Sequence, residues 1–73
     1  MTRMRPLPPS RVIRNLKTLG FIPVRQKGSH IFFRHDDGRT TVVPFHKGED
    51  ISIGLLHSIL KDIETDTTSF FDL

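Results

Sequence analysis

Two turn signals cut the middle of this chain into three short extended segments, and no other feature restricts its fold so strongly. Gln26 to Ser29 reads as a turn, and Asp36-Asp37-Gly38 is a hairpin signal. Around them, Phe21 to Arg25, His30 to Arg34 and Thr40 to Phe45 read as strands, the last rich in β-branched residues. Pro23 lacks a backbone donor, which places the first strand at a sheet edge. Side chains alternate along a strand, so His30, Phe32 and Arg34 share one face while Ile31 and Phe33 share the other. The face with Ile31 and Phe33 needs an apolar cover, and the face with His30 is left open.

Flanking helices supply that cover. Ser10 is a suitable N-cap, and Val12, Ile13, Leu16 and Leu19 follow at helical spacing, with Arg11, Arg14 and Lys17 on the other side. Gly20 is a natural residue to end this helix. Ile53, Leu56, Ile59, Leu60 and Ile63 form the buried stripe of a second helix, capped by Ser52 or Asp50. Thr65 to Leu73 adds a short final turn of helix that docks Phe70 or Phe71. Residues 1–9 carry two arginines and three prolines with no period, and read as an extended arm before a single domain of residues 10–73. The expected architecture is α+β in the order α-β-β-β-α, with both helices on one face of a three-stranded antiparallel sheet.

Seventy-three residues leave no room for a separate cofactor-binding module, and no cofactor is expected. A chain of this size buries only about 60% of the surface its unfolded state exposes, so its stability should be modest. The absence of cysteine excludes a disulfide framework and a zinc ribbon, and fits a reducing cytoplasm. No apolar run approaches the roughly 20 residues that span a bilayer, and the basic N-terminus has no apolar signal-peptide region, so neither membrane insertion nor secretion is expected.

Charge is uneven along the chain. Residues 1–48 hold ten Lys or Arg against two Asp, a net +8, whereas residues 49–73 hold Lys61 against six carboxylates, a net −5. Such a distribution suits a basic surface that meets an anionic partner, nucleic acid first among them, as well as an ordinary solvated surface.

Four histidines are present. A histidine that opens a strand is more often structural than catalytic, but three features favour His30. Gly28 and Ser29 offer close backbone approach and a donor, as phosphate sites require. Arg25, Lys27 and Arg34 can neutralise phosphate, and the sheet face of His30 has no evident core role. His46 follows Val43-Pro44-Phe45 and would come near His30 by hairpin pairing, either as a second acid–base group or as a residue that shapes the loop. His35, beside the hairpin turn, is expected in solvent, and His57 on the surface of the second helix. The histidine spacings match no metal-ligand pattern, so no metal is expected. No serine or cysteine nucleophile constellation, P-loop or dinucleotide fingerprint stands out. Phe32 could stack on an unpaired base or serve as partner-facing apolar surface.

Leu19-Gly20-Phe21, Arg25-Gln26-Lys27-Gly28-Ser29-His30, Asp37-Gly38-Arg39, Val43-Pro44-Phe45-His46, Gly54 and Ile59-Leu60-Lys61 occur in an order and spacing that resembles the HicA (YcfA-like) toxin family, over about residues 10 to 65. The resemblance implies a double-stranded-RNA-binding-like fold and a ribosome-independent endoribonuclease that cleaves mRNA as the toxin of a type II toxin–antitoxin pair. It also implies a HicB-like antitoxin that covers the active face. The family's catalytic histidine, within Gly-Ser-His, corresponds to His30. Arg25, Lys27, Gly28, Ser29, Arg34, Arg39 and His46 are the expected RNA-binding residues around it. Leu55 stands where the family often has a small hydroxyl residue, and the proline-rich arm is longer than usual. The alternatives are a non-catalytic RNA-binding module on the same basic sheet and a protein-interaction module that recognises an acidic partner.

Overall fold

A computed structural model describes residues 2–73. Helix α1 spans Pro9–Thr18 and starts one residue before the expected cap. Ser10 therefore lies inside the helix, and Pro8 occupies the cap without a side-chain bond. The reason is that Pro9 fits the first helical position, where an amide hydrogen would have no partner anyway and φ is already helical. At the other end Gly20 adopts φ +95°. The amide of Gly20 bonds the Lys17 carbonyl and that of Phe21 bonds the Leu16 carbonyl, the paired closure that a left-handed residue permits.

The sheet consists of β1 (Ile22–Lys27), β2 (His30–Arg34) and β3 (Thr40–Pro44), antiparallel in the order β1-β2-β3. Pro23 thus stands on an edge strand as expected. Gly28 and Ser29 form a two-residue connection, with Gly28 at φ +57° and Ser29 at negative φ, the signature of a turn that matches strand twist. The second hairpin pairs His35 with Arg39 across three residues, and Gly38 at φ +98° takes the left-handed position.

Helices α2 (Ile53–Ile63) and α3 (Thr67–Phe71) complete the chain. Ser52, not Asp50, caps α2, by accepting from the Leu55 amide at 3.2 Å. Asp66 caps α3 through the Ser69 amide at 2.7 Å. The helices lie on one face of the sheet and close a core built from Val12 and Leu16 of α1, Phe21, Phe33 and Val43 of the sheet region, and Leu56, Ile59, Leu60 and Ile63 of α2. Both Phe70 and Phe71 are buried. Ile53 departs from the expected stripe, being 41% exposed; Ile51, ahead of the helix, is buried in its place. The buried Ile51 pairs with Leu7 through two backbone hydrogen bonds of 2.6 and 3.2 Å, so the proline-rich segment adds Leu7 to the core. Arg11 also departs from the solvent side, because its guanidinium donates to the Phe71 carbonyl at 3.1 Å. Next to it, the buried Asn15 amide donates to the Phe70 carbonyl at 3.0 Å.

Candidate functional site

The open face of the sheet is organised in three cross-strand rows, since directly opposed residues in an antiparallel pair project to the same side. Lys27, His30 and Pro44 form the first row, Arg25, Phe32 and Val42 the second, and Ile22, Arg34 and Thr40 the third. His30 is exposed and has Lys27 directly across from it. Three cations, one imidazole and one aromatic ring share this surface, and none of the nine residues is acidic.

The rows depend on an irregularity in β1. Pairing runs regularly from Ile22 opposite Arg34 to Pro23 opposite Phe33, then skips Val24 and resumes with Arg25 opposite Phe32. Without that bulge, Val24 would take the open side and Arg25 would face the helices. With it, Arg25 and Lys27 both reach the open face, an example of a bulge re-aiming side chains. Strict alternation from the buried Phe21 sends Pro23 and then Arg25 inward, and an inward arginine is the one signal in the sequence that the strand must be irregular.

Gly28 and Ser29 hold the turn rather than contact the core. A Cβ on Gly28 would meet nothing within 4 Å, so the glycine answers to its positive φ, and the open space beside it leaves the backbone accessible. The Gln26 side chain donates to the Gly28 carbonyl at 3.1 Å, and the Ser29 carbonyl accepts from the Phe45 amide at 2.7 Å. The second contact extends β3 past Pro44 alongside the turn. In the second row, the Arg25 guanidinium lies over the Phe32 ring, 4.6 Å from its centroid.

One residue expected around His30 is placed elsewhere. Arg39 lies at the opposite end of the β2–β3 hairpin, beyond the roughly 14 Å of strand that separates His30 from Arg34. It bonds the Asp37 carboxylate at 2.8 and 3.1 Å, donates to the Ile63 carbonyl, and stacks over Phe21 at 5.1 Å. Its Nε and Nη1 donors are engaged by the fold, the first by Asp37, two residues away in the same turn, and the second by the end of α2. The Arg39 hydrogen bond also holds the Asp37 carboxyl below its ordinary range. His46 lies beyond the end of β3 and lines a groove with Pro8, Pro9, Phe45 and Asp50. No hydrogen bond joins it to His30 among the described residues.

His35 is half-buried and packs edge-on against Phe21 with centroids 5.1 Å apart, where solvent had been expected. A Cβ at Gly20 would approach its Nε2 to about 3.0 Å, a tight contact that adds to the positive φ in favouring glycine there. His57 is exposed on α2, as its position suggested. Among the described residues no three His, Cys, Asp or Glu side chains gather as a metal-holding group, and no helix is long and apolar enough to cross a membrane.

A small α+β domain with one helix-covered sheet face and an opposite face bearing a histidine among cations is the class that fold and site define. The sequence model of the HicA toxin of bacterial toxin–antitoxin systems matches residues 9–64, more than half of the chain, and the chain belongs to that family. A search of curated proteins found no match.

Proposed function

We propose that this protein is an endoribonuclease that cleaves mRNA without a metal ion and is inhibited by a HicB-like antitoxin bound over its open face. Family membership supports the toxin role and a cognate antitoxin. The single observation that carries the chemistry is the first row of the sheet, where His30 and Lys27 stand opposed and exposed at a turn with accessible backbone.

In this reading the substrate's 2′-hydroxyl attacks the adjacent phosphate, and His30 carries a proton as general base or general acid. Histidine suits the task because its ordinary pKa, roughly 6.5, lies near working pH, and such help is worth about 10²–10⁴-fold in rate. Lys27 neutralises the scissile phosphate and the charge that develops on it, while Arg34 positions a neighbouring phosphate. Gly28 and Ser29 let the backbone approach. A single imidazole cannot accept one proton and deliver another simultaneously, so either His46 or a water molecule takes the second role.

His30→Ala should abolish cleavage of a defined mRNA with the circular-dichroism spectrum unchanged, and products should end in 2′,3′-cyclic phosphate. Cleavage retained in this variant, or 3′-hydroxyl product ends, would refute the assignment. Loss of activity on adding EDTA would refute metal independence. A loss in His46→Ala as large as that of His30→Ala would make His46 the second proton carrier, and a loss below tenfold would leave that role to water.

A further inference from the structure

The second row of the open face lies between the row of His30 and that of Arg34 and differs from both in chemistry. Phe32 is half-buried in the middle strand, and Arg25 covers its ring at 4.6 Å. The β1 bulge is what brings Arg25 there, since regular pairing would put Val24 opposite Phe32. Around this pair lies a groove of about 400 Å³ lined by Val24, Arg25, Phe32, Phe33, Arg34 and Thr40, a size within the roughly 300–1,000 Å³ of small-ligand sites. Phe32 is one strand period from His30, about 7 Å along β2. A flat aromatic ring, a planar cation able to stand parallel to it and a groove open to solvent form a receptor for a planar π-system attached to an anionic backbone.

We infer that Arg25 and Phe32 form a base-binding subsite that takes one unpaired nucleobase next to the phosphate held at His30. On binding, the guanidinium lifts from the ring and the base enters between them, so that Phe32 stacks on one face and Arg25 on the other. The inference rests on the proposed RNA-cleaving role of the neighbouring row and extends it, because it says what the face recognises besides phosphate. A base within a duplex is already stacked and paired, so it does not enter. Stacking accepts every base, so the subsite selects unpaired structure and not sequence.

The test measures binding with fully 2′-O-methylated oligonucleotides, in which the attacking hydroxyl is blocked and affinity is read without cleavage. Three probes are compared on the purified protein: a single strand, the same strand with abasic residues, and a duplex. Phe32→Ala should weaken binding of the single strand by roughly 5- to 150-fold, the measured range for loss of one base–aromatic stack, and leave the abasic strand and the duplex unchanged. Arg25→Lys keeps the charge and removes the planar stack, so it should show the same selective loss at smaller size. Phe32→Leu preserves the apolar packing of the half-buried position and should behave like Phe32→Ala in binding while melting like wild type.

Equal weakening of all three probes by Phe32→Ala, or no weakening of any, would overturn the subsite. The cleavage reading fails separately. Wild-type protein that discriminates the single strand through Phe32 but never cuts unmodified RNA would keep the subsite and remove the nuclease.

Discussion

Arg39 is the residue on which sequence and structure give opposite expectations, so replacing it with alanine separates them. A basic residue in the positively charged first two-thirds of the chain suggests phosphate binding; its contacts suggest a brace between the β2–β3 turn and the end of α2. Three contacts would be lost. A hydrogen bond from a charged donor to the Ile63 carbonyl is worth about 1.5–3 kcal/mol. The cation over Phe21 adds about 0.5–1 kcal/mol at a partly exposed site. The pair with Asp37 is left out of the sum, since that carboxylate is solvated and exposed ion pairs contribute little. Because such terms overlap, a loss of about 2–3 kcal/mol is expected. For a domain of this size each kcal/mol moves Tm by about 4–8 °C, so Arg39→Ala should melt about 10–20 °C lower in a calorimetric scan. Total stability of about 0.05–0.15 kcal/mol per residue keeps the variant folded at 25 °C. Arg39→Lys should recover less than half of the loss, as an ammonium cannot span carboxylate and carbonyl with a planar fork. Binding to single-stranded 2′-O-methyl RNA supplies the contrast. Lys27→Ala should lower the slope of log affinity against log salt by about 0.7, the value for one phosphate contact, and Arg39→Ala should leave it unchanged. A melt within 2 °C of wild type together with a reduced salt slope would refute the bracing role and restore Arg39 to the RNA surface.

Three further outcomes are expected. Gly20→Ala meets both a positive φ and the His35 ring, so it should cost about 1–3 kcal/mol and lower Tm accordingly; Gly28→Ala, with positive φ but open space, should cost less, and a reversed order in thermal melts would contradict the packing at Gly20. Deleting Val24 should leave a regular strand with Arg25 still opposite Phe32 and Lys27 opposite His30, so the variant should fold and bind RNA; an unfolded product in a proton NMR spectrum would show that the bulge is itself required. Asp37 is held below its ordinary pKa chiefly by the side-chain hydrogen bond from Arg39, and Asp66 by the Ser69 backbone amide. Both values are lowered in the fold, so their stabilisation is complete above the unfolded value near 3.8 and disappears as pH falls through the folded values. Tm should therefore drop in acid below about pH 4, less steeply in Asp37→Asn, and an identical acid slope in that variant would exclude the Asp37 contribution.

The sequence made much of this arrangement readable, for identifiable reasons. β2 was legible to the residue because Ile31 and Phe33 alternate cleanly between two turns, and α2 because Leu56, Ile59, Leu60 and Ile63 repeat at helical spacing. The location of His30 and Arg34 on one face, with Phe32 between them, followed from the same alternation, whereas Lys27, read as part of the turn, reaches that face through the β1 bulge. What stayed hidden depended on contacts distant in sequence. Nothing near His35 announces Phe21, 14 positions earlier and brought to it by the fold, so the imidazole looked solvated. Arg39 looked available because its acceptor at Ile63 lies 24 residues away. Ile53 continued the apolar period of α2, yet the bridge between Leu7 and Ile51 fills that end of the core first.

The docking of α1 against α3 has a consequence for the order in which the protein can assemble as it is made. The buried Asn15 of the first helix finds its partner only at Phe70, 55 residues further along the chain. At synthesis rates of about 5–20 residues per second, that gap lasts roughly 3–11 seconds. His30 and its neighbouring cations are added to the chain early in this interval, before the aromatic residues that close the layer beneath their sheet. Ribosomal timing thus separates the making of the proposed cutting surface from its completion.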